Sequence, residues 1–115
     1  MSLQKARATL EEGITLIDKS PVIASLKLYK AAEEAVRAIA TTQLRDGNMD
    51  FGMAVTMLTK RYGEFIAVCW NAATTLYDLG YMEGKLESRR VKKLAQHVEN
   101  LVRFAERLLS PTSSR

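Results

Sequence analysis

The stretch Ala24–Ala40, with the sequence ASLKLYKAAEEAVRAIA, decides the fold of this chain. At about 3.6 residues per turn its side chains separate into three faces, of which two are apolar and one is charged. The first apolar face contains Ala24, Leu28, Ala31, Ala35 and Ala38, the second contains Val22, Leu26, Tyr29 and Val36, and the charged face contains Lys27, Lys30, Glu34 and Arg37. A helix with so little charged surface is buried by other helices, so the pattern predicts the central helix of a bundle. Its alanines predict a close approach of the neighbouring helix axes.

Four further segments have helical patterns, and no segment alternates as a strand does. The predicted helices cover about 2–18, 22–44, 51–62 with Asp50 as N-cap, 64–79 with Gly80 as terminator, and a last helix with Ser88 as N-cap. The last helix has the clearest apolar stripe, formed by Val91, Leu94, Val98, Leu101, Ala105 and Leu108. We therefore expect an all-α fold of about five helices, with a single bundle domain over residues 1–109 and a flexible polar tail over 110–115.

The net charge of the chain, +4, is concentrated in one segment. The segment Lys85–Lys93 contains five cations and one carboxylate, so the rest of the chain sums to zero. A local cationic patch of this kind is typical of a protein that binds an anionic partner.

Several classes of protein are excluded or disfavoured by composition. The longest purely apolar run, Phe65–Trp70, is six residues long, whereas a membrane span needs about 20. We expect a cytoplasmic protein without a secretory signal, because no charged start precedes an apolar block and a single cysteine fits a reducing compartment. One histidine and one cysteine do not build a zinc site, and no phosphate-binding or dinucleotide motif is present, so the sequence predicts no cofactor.

The basic cluster Arg89, Arg90, Lys92 and Lys93, with Lys85 ahead of it, lies at the predicted start of the last helix. Cations at a helix N-terminus oppose the helix dipole, whereas the free N–H groups there attract anions. The cluster therefore predicts a phosphate or nucleic-acid site. The alternative interpretation is that the helix begins near Tyr81, in which case the cations form an ordinary solvated face.

His97, the only histidine, lies seven residues after Arg90, which is two helical turns. The two side chains are therefore on one edge of the helix, with their backbones about 10 Å apart. Histidine transfers protons near neutral pH and arginine binds phosphate with a planar fork, a combination suited to metal-independent RNA cleavage. The alternative is a surface histidine that happens to lie near a surface arginine.

Two other groups of side chains have less specific interpretations. Trp70, Tyr77 and Tyr81 are interpreted as packing groups and not as a base-stacking platform, because no strand presents them side by side. The methionines Met49, Met53 and Met57 are spaced four apart and are interpreted as core filling, with an adaptable contact surface as the alternative.

Two stretches resemble a known family. ASLKLYKAAEEA resembles the A-S-x-K-x-Y-K-A-A-E-E-A pattern of the archaeal PaREP family (first class), and Trp70–Glu83 resembles its W-x-x-A-x-x-L-H-x-x-G-F-H-E segment. Tyr77 and Met82 replace the histidines of that segment. This family is similar to a branch of the HEPN superfamily of nucleotide-binding proteins.

The resemblance implies an up-and-down helical bundle that forms a homodimer. Many members of the superfamily are ribonucleases of toxin–antitoxin or defence systems, with an arginine, four to six residues and a histidine on the last long helix of the core. Arg90 and His97 match that spacing at its outer limit, although Val91 stands where the motif favours a polar residue. The resemblance thus implies an RNA or nucleotide ligand, and a cognate antitoxin or nucleotidyltransferase as partner. The alternative is a non-catalytic interaction or nucleotide-binding module.

Overall fold

In a computed structural model, which describes residues 2–110, the chain forms an up-and-down bundle of five α-helices with two π-helical segments. The described residues contain no strand, so the all-α prediction is confirmed. The elements are α1 (Ser2–Leu16), α2 (Pro21–Ile39), π1 (Ala40–Leu44), α3 (Phe51–Tyr62), α4 (Phe65–Thr75), π2 (Leu76–Met82) and α5 (Ser88–Leu109).

Helix α2 is the central element, as its sequence predicts. It packs against α1, α3, α4, α5 and π2, and its alanine face is buried together with Leu28. The small side chains allow a close approach of α1, where a Cβ added to Gly13 would lie 3.0 Å from Leu28 Cγ. The core of the bundle therefore forms around α2, and the remaining helices contribute their apolar faces to it.

Local capping defines where α2 and α3 begin. Ser20 Oγ accepts a hydrogen bond from Ile23 N (3.3 Å), and Pro21 occupies the first position of α2. Asp50 Oδ2 accepts a hydrogen bond from Met53 N (3.2 Å) at the start of α3, which confirms the predicted N-cap.

The two π-helical segments differ from the prediction of uninterrupted α-helix. Gly80, predicted to end the fourth helix, instead lies inside π2, which continues to Met82. The glycine serves a tertiary contact and not helix termination, because a Cβ at Gly80 would collide with Ser25 Oγ of α2. Glycine at this position permits π2 to lie directly on α2.

Helix α5 begins at Ser88, after a non-helical connection over residues 83–87. The alternative in which this helix begins near Tyr81 is therefore wrong. Ser88 is not the N-cap, since Glu87 takes that position and makes no side-chain capping bond within the described chain. Ser88 Oγ instead donates a hydrogen bond to Ile17 O (3.2 Å), which ties the start of α5 to the turn that follows α1.

Two predictions concern features at the margins of the bundle. The tail predicted for 110–115 lies outside the described residues except for Ser110, which follows α5 as its C-cap. Within residues 2–110, no helix has the length and apolar character needed to cross a membrane.

Candidate nucleic-acid interface

A cavity of about 230 Å³ opens at the start of α5. We call it the cationic cavity; it is lined by Lys85, Leu86, Glu87, Arg89, Arg90 and Lys93. Four of these six side chains are cations that the sequence assigned to an anion site, so the fold brings together most of the predicted residues.

Three of the cations in the cationic cavity are exposed and have no internal partner. Among residues 2–110, no hydrogen bond or ion pair involves the side chains of Arg89, Arg90 or Lys93. Lys85 differs, because its Nζ lies 2.9 Å from a carboxylate oxygen of Glu83. The charge of the cavity is therefore largely uncompensated, with Glu87 as the one carboxylate in its lining.

The backbone at the cationic cavity adds to this positive potential. The first helical hydrogen bond of α5 runs from Val91 N to Glu87 O (3.0 Å), and the N–H groups ahead of Val91 have no intrahelical acceptor. These N–H groups carry the positive end of the helix dipole, which favours an anion at this place.

Two of the predicted site residues lie outside the cationic cavity. Lys92 is directed toward the turn between α1 and α2, where its Nζ lies 3.1 Å from Asp18 Oδ1. His97 is half-buried and lies two turns further along α5, on the same side as Arg90. Its imidazole makes no hydrogen bond or ion pair to any other part of the described chain.

Toward the other end of α5 the charged side chains are paired with each other. Arg7 of α1 donates two hydrogen bonds to the carboxylate of Glu106, one of them from Nε at 2.8 Å, and also lies 4.0 Å from Glu99. Arg103 Nη2 donates to the same Glu99 at 2.9 Å. Hydrogen bonding to Arg7 lowers the pKa of Glu106, as expected for a carboxylate held by a guanidinium.

A row of aromatic rings runs along α2, π2, α4 and α3. The ring centroids of Tyr29 and Tyr77 are 4.6 Å apart, those of Tyr77 and Tyr81 5.7 Å, and those of Tyr29 and Trp70 5.9 Å. Phe51 continues the row by stacking on Trp70 at 5.5 Å. The packing role predicted for Trp70, Tyr77 and Tyr81 is therefore present, yet all three rings stay partly exposed.

The exposed side of this row borders a second cavity, of about 450 Å³. We call it the tyrosine groove; its lining is Leu26, Tyr29, Lys30, Glu33, Tyr77 and Tyr81. Burial and the negative charge of Glu33 raise the pKa of Tyr29 to about 12. Sequence reasoning missed this groove because its tyrosines come from two elements that only the fold brings together.

The remaining chemistry-bearing residues have simple roles. Cys69 is buried in the core, and burial raises the pKa of its thiol. Met49 packs against the core, but Met53 and Met57 are 58% and 42% exposed, so core filling is wrong for these two. The described residues contain no group of three His, Cys, Asp or Glu side chains placed to hold a metal ion.

The structure is a small helical bundle with an open cavity, lined mainly by cations, at the start of its last helix. The model of the Archaeal PaREP1/PaREP8 family matches residues 1–102, and the chain belongs to this family. A crystal structure of a protein from Sulfolobus solfataricus is similar, with 32% sequence identity, a TM-score of 0.76, and coverage of 88% of this chain and 92% of that one. The comparison with curated proteins finds no match.

Proposed function

We propose that this protein binds RNA, and that the cationic cavity holds the phosphate backbone. One observation carries the proposal. Arg89, Arg90 and Lys93 line one cavity at the start of a long helix, and none of them has a partner among the described side chains. Cations at this position oppose the helix dipole, so an external anion is the partner that compensates their charge.

The arrangement of the donors supports phosphate over a simple carboxylate ligand. The two arginines present planar forks suited to phosphate oxygens, Lys93 adds a point charge, and the free N–H groups of the first turn add further donors. Phosphates spaced along a chain also match cations that are spread over two turns of α5 and the preceding loop. The resemblance to HEPN proteins adds support for a nucleic-acid ligand.

The test is fluorescence anisotropy with a labelled single-stranded RNA 12-mer over a range of salt concentrations, for the parent protein and Arg90→Gln. We expect Arg90→Gln to lower the slope of log affinity against log salt by about 0.7, the value for one phosphate contact on a single strand. Arg107→Gln is the matched control, because Arg107 is an exposed arginine in the last turn of the same helix. Equal affinity and equal slope for Arg90→Gln and the parent would contradict the proposal.

A second candidate function is metal-independent cleavage of the bound RNA. The observation in its favour is that His97 and Arg90 share one side of α5, and that the imidazole makes no hydrogen bond or ion pair within residues 2–110. Arg90 would hold the scissile phosphate, and His97 would act as acid or base. Each chain contains one histidine, so a site with two histidines requires a homodimer. The ribonuclease proposed here therefore acts as a homodimer.

Cleavage of a structured RNA in EDTA is compared for the parent protein, His97→Ala and His97→Gln. Sedimentation equilibrium measures whether each protein is a monomer or a dimer. Cleavage by the parent alone, from a dimer, supports the ribonuclease. Equal cleavage by parent and variants assigns the activity to another group or a contaminant. Absence of cleavage with salt-sensitive binding retained contradicts catalysis and leaves an RNA-binding module.

A further inference from the structure

We propose that the tyrosine groove is a base-binding subsite, in which an unpaired base of single-stranded RNA stacks on Tyr81 while its phosphates extend toward the cationic cavity. This inference rests on the proposed RNA binding and assigns a second, separate surface to it. It revises the interpretation of Tyr77 and Tyr81 as packing groups alone.

The geometry of the rings leaves aromatic surface available to a ligand. Tyr29 and Tyr77 meet at an interplanar angle of 39°, and Tyr77 and Tyr81 at 37°, so neither pair is stacked face to face. Tilted neighbours cover only part of each other, and all three rings line an open groove of about 450 Å³. A base has the flat shape that stacks on such a ring, and every base has a π-face.

The backbone holds these rings in place before any ligand arrives. Tyr77 and Tyr81 both belong to π2, which lies directly on α2 because Gly80 packs against Ser25. π-helical turns are rare and occur frequently at functional sites. Tyr29 projects from α2 itself, so the groove is formed by two elements fixed against each other.

The polar side chains of the groove match the edges of a base. Glu33 offers acceptor oxygens, while Lys30 offers donors and a positive charge. A base presents both donors and acceptors on its edge, whereas an apolar side chain of a protein partner would use neither group. This combination favours RNA over a hydrophobic peptide as the occupant.

The position of the groove connects it to the cationic cavity. Tyr81 precedes Lys85 by four residues, and Lys85 N donates a hydrogen bond of 2.8 Å to Leu79 O, which holds the cavity wall against the end of π2. The short loop between them contains Gly84 at φ +63°, a conformation that favours glycine. Four residues of chain span at most about 14 Å, so the backbones of Tyr81 and Lys85 are no further apart than this. A stacking surface next to a cationic surface is the usual combination in proteins that bind single strands.

The experiment compares two probes, a single-stranded adenosine 12-mer of RNA and an abasic ribose-phosphate oligomer of equal length. The proteins are the parent, Tyr81→Leu, which removes the ring but keeps apolar bulk, and Tyr81→Phe, which keeps the ring. Phe65→Leu is the matched control, because Phe65 is a partly exposed aromatic residue that packs on Phe104, away from the groove.

We expect Tyr81→Leu to weaken binding of the adenosine oligomer about tenfold and to leave the abasic oligomer unaffected. Tyr81→Phe and Phe65→Leu should bind both oligomers as the parent does. Circular dichroism verifies that each variant is folded.

The two proposals fail in different ways. Equal affinity of the parent for the adenosine and abasic oligomers, or unchanged affinity in Tyr81→Leu, overturns the base subsite while salt-sensitive binding through Arg90 still supports the proposed function. Loss of affinity in Tyr81→Leu for both probes alike also overturns the subsite, because the effect does not depend on bases. A parent protein that binds neither probe overturns the proposed function and the subsite together.

Discussion

The two ends of α5 carry similar side chains but differ in how their charges are compensated. Toward the C-terminal end, Arg7 and Arg103 are paired with Glu106 and Glu99. At the N-terminal end, the cations of the cationic cavity face solvent with little internal compensation. The helix dipole increases the contrast, because it stabilises a cation in the last turn and destabilises one in the first.

This difference separates stability from binding within one helix. The paired end joins α1 to α5 across 99 residues of sequence and contributes to the free energy of unfolding. The cationic end lowers the free energy of unfolding at low salt, because its cations repel the helix dipole and one another. In the proposed function these cations serve to bind an anion.

The largest effect is expected in the core that both ends share. Leu101 lies near the middle of α5 and is fully buried. Leu101→Ala removes three carbons from a packed interior and should lower the free energy of unfolding by about 3 kcal/mol. Urea denaturation measures this change, and RNA affinity at low temperature should equal that of the parent. A loss below about 1 kcal/mol would contradict the packing described for α5.

A smaller effect is expected from breaking the paired end with Glu106→Gln. We expect a loss of about 1 kcal/mol at neutral pH, because both partners are about two-thirds buried and the pair has two hydrogen bonds. Since Arg7 lowers the pKa of Glu106, the stabilisation is complete above the usual glutamate value of 4.5 and is lost as the pH falls through the lowered pKa.

Thermal unfolding between pH 7 and pH 2 measures this dependence. The parent should lose more stability on acidification than Glu106→Gln does. Arg103→Gln is the control, since it removes a more exposed pair of the same helix and should cost about 0.5 kcal/mol or less. Parallel pH profiles for the parent and Glu106→Gln would show that the pair does not stabilise the fold.

The next effect concerns the missing cap of the cationic end. Glu87 has extended backbone at the N-cap but no capping hydrogen bond within the described chain. Glu87→Asp keeps the charge and supplies a shorter carboxylate that reaches the first-turn N–H groups, so stability should rise by about 0.5–1 kcal/mol. RNA affinity should fall, because the same N–H groups are then occupied. A rise in stability with unchanged affinity would exclude these N–H groups from the binding site.

The smallest effect is expected from Lys92→Gln. Lys92 lies two residues after Arg90 but pairs with Asp18, which follows the end of α1. An exposed pair of this kind contributes about 0.5 kcal/mol or less, and RNA affinity should change far less than in Arg90→Gln. Equal loss of affinity in Lys92→Gln and Arg90→Gln would show that the anion site extends to the face toward α1.

The sequence was sufficient to predict the helices because their signals are local. The alanine face of α2, the cap at Asp50 and the apolar stripe of α5 each lie within one element, and all are confirmed. The π-helical segments were not predictable, because a wider turn has no side-chain signature. Gly80 has the local signal of a helix terminator, yet π2 continues past it to Met82. The structure shows that this glycine is needed for the close contact with Ser25, which the local sequence does not reveal.

The candidate site was predictable to a similar degree. Arg89, Arg90 and Lys93 lie in the first two turns of one helix, so their grouping followed from spacing alone. Lys92 differs because successive residues of a helix point about 100° apart, and its partner Asp18 comes from the turn between α1 and α2. The tyrosine groove required the fold, since Tyr29 and Tyr77 are far apart in sequence and meet only where π2 lies on α2.

The most direct test of the account is one variant in which Arg89, Arg90 and Lys93 are all changed to Gln, measured for both unfolding free energy and RNA affinity. The account predicts opposite changes. Stability at low salt should rise by about 1 kcal/mol as the repulsion from the helix dipole is removed. RNA affinity at about 0.1 M salt should fall about 100-fold as three phosphate contacts are lost. A variant that is less stable than the parent and still binds RNA equally well would contradict the central claim.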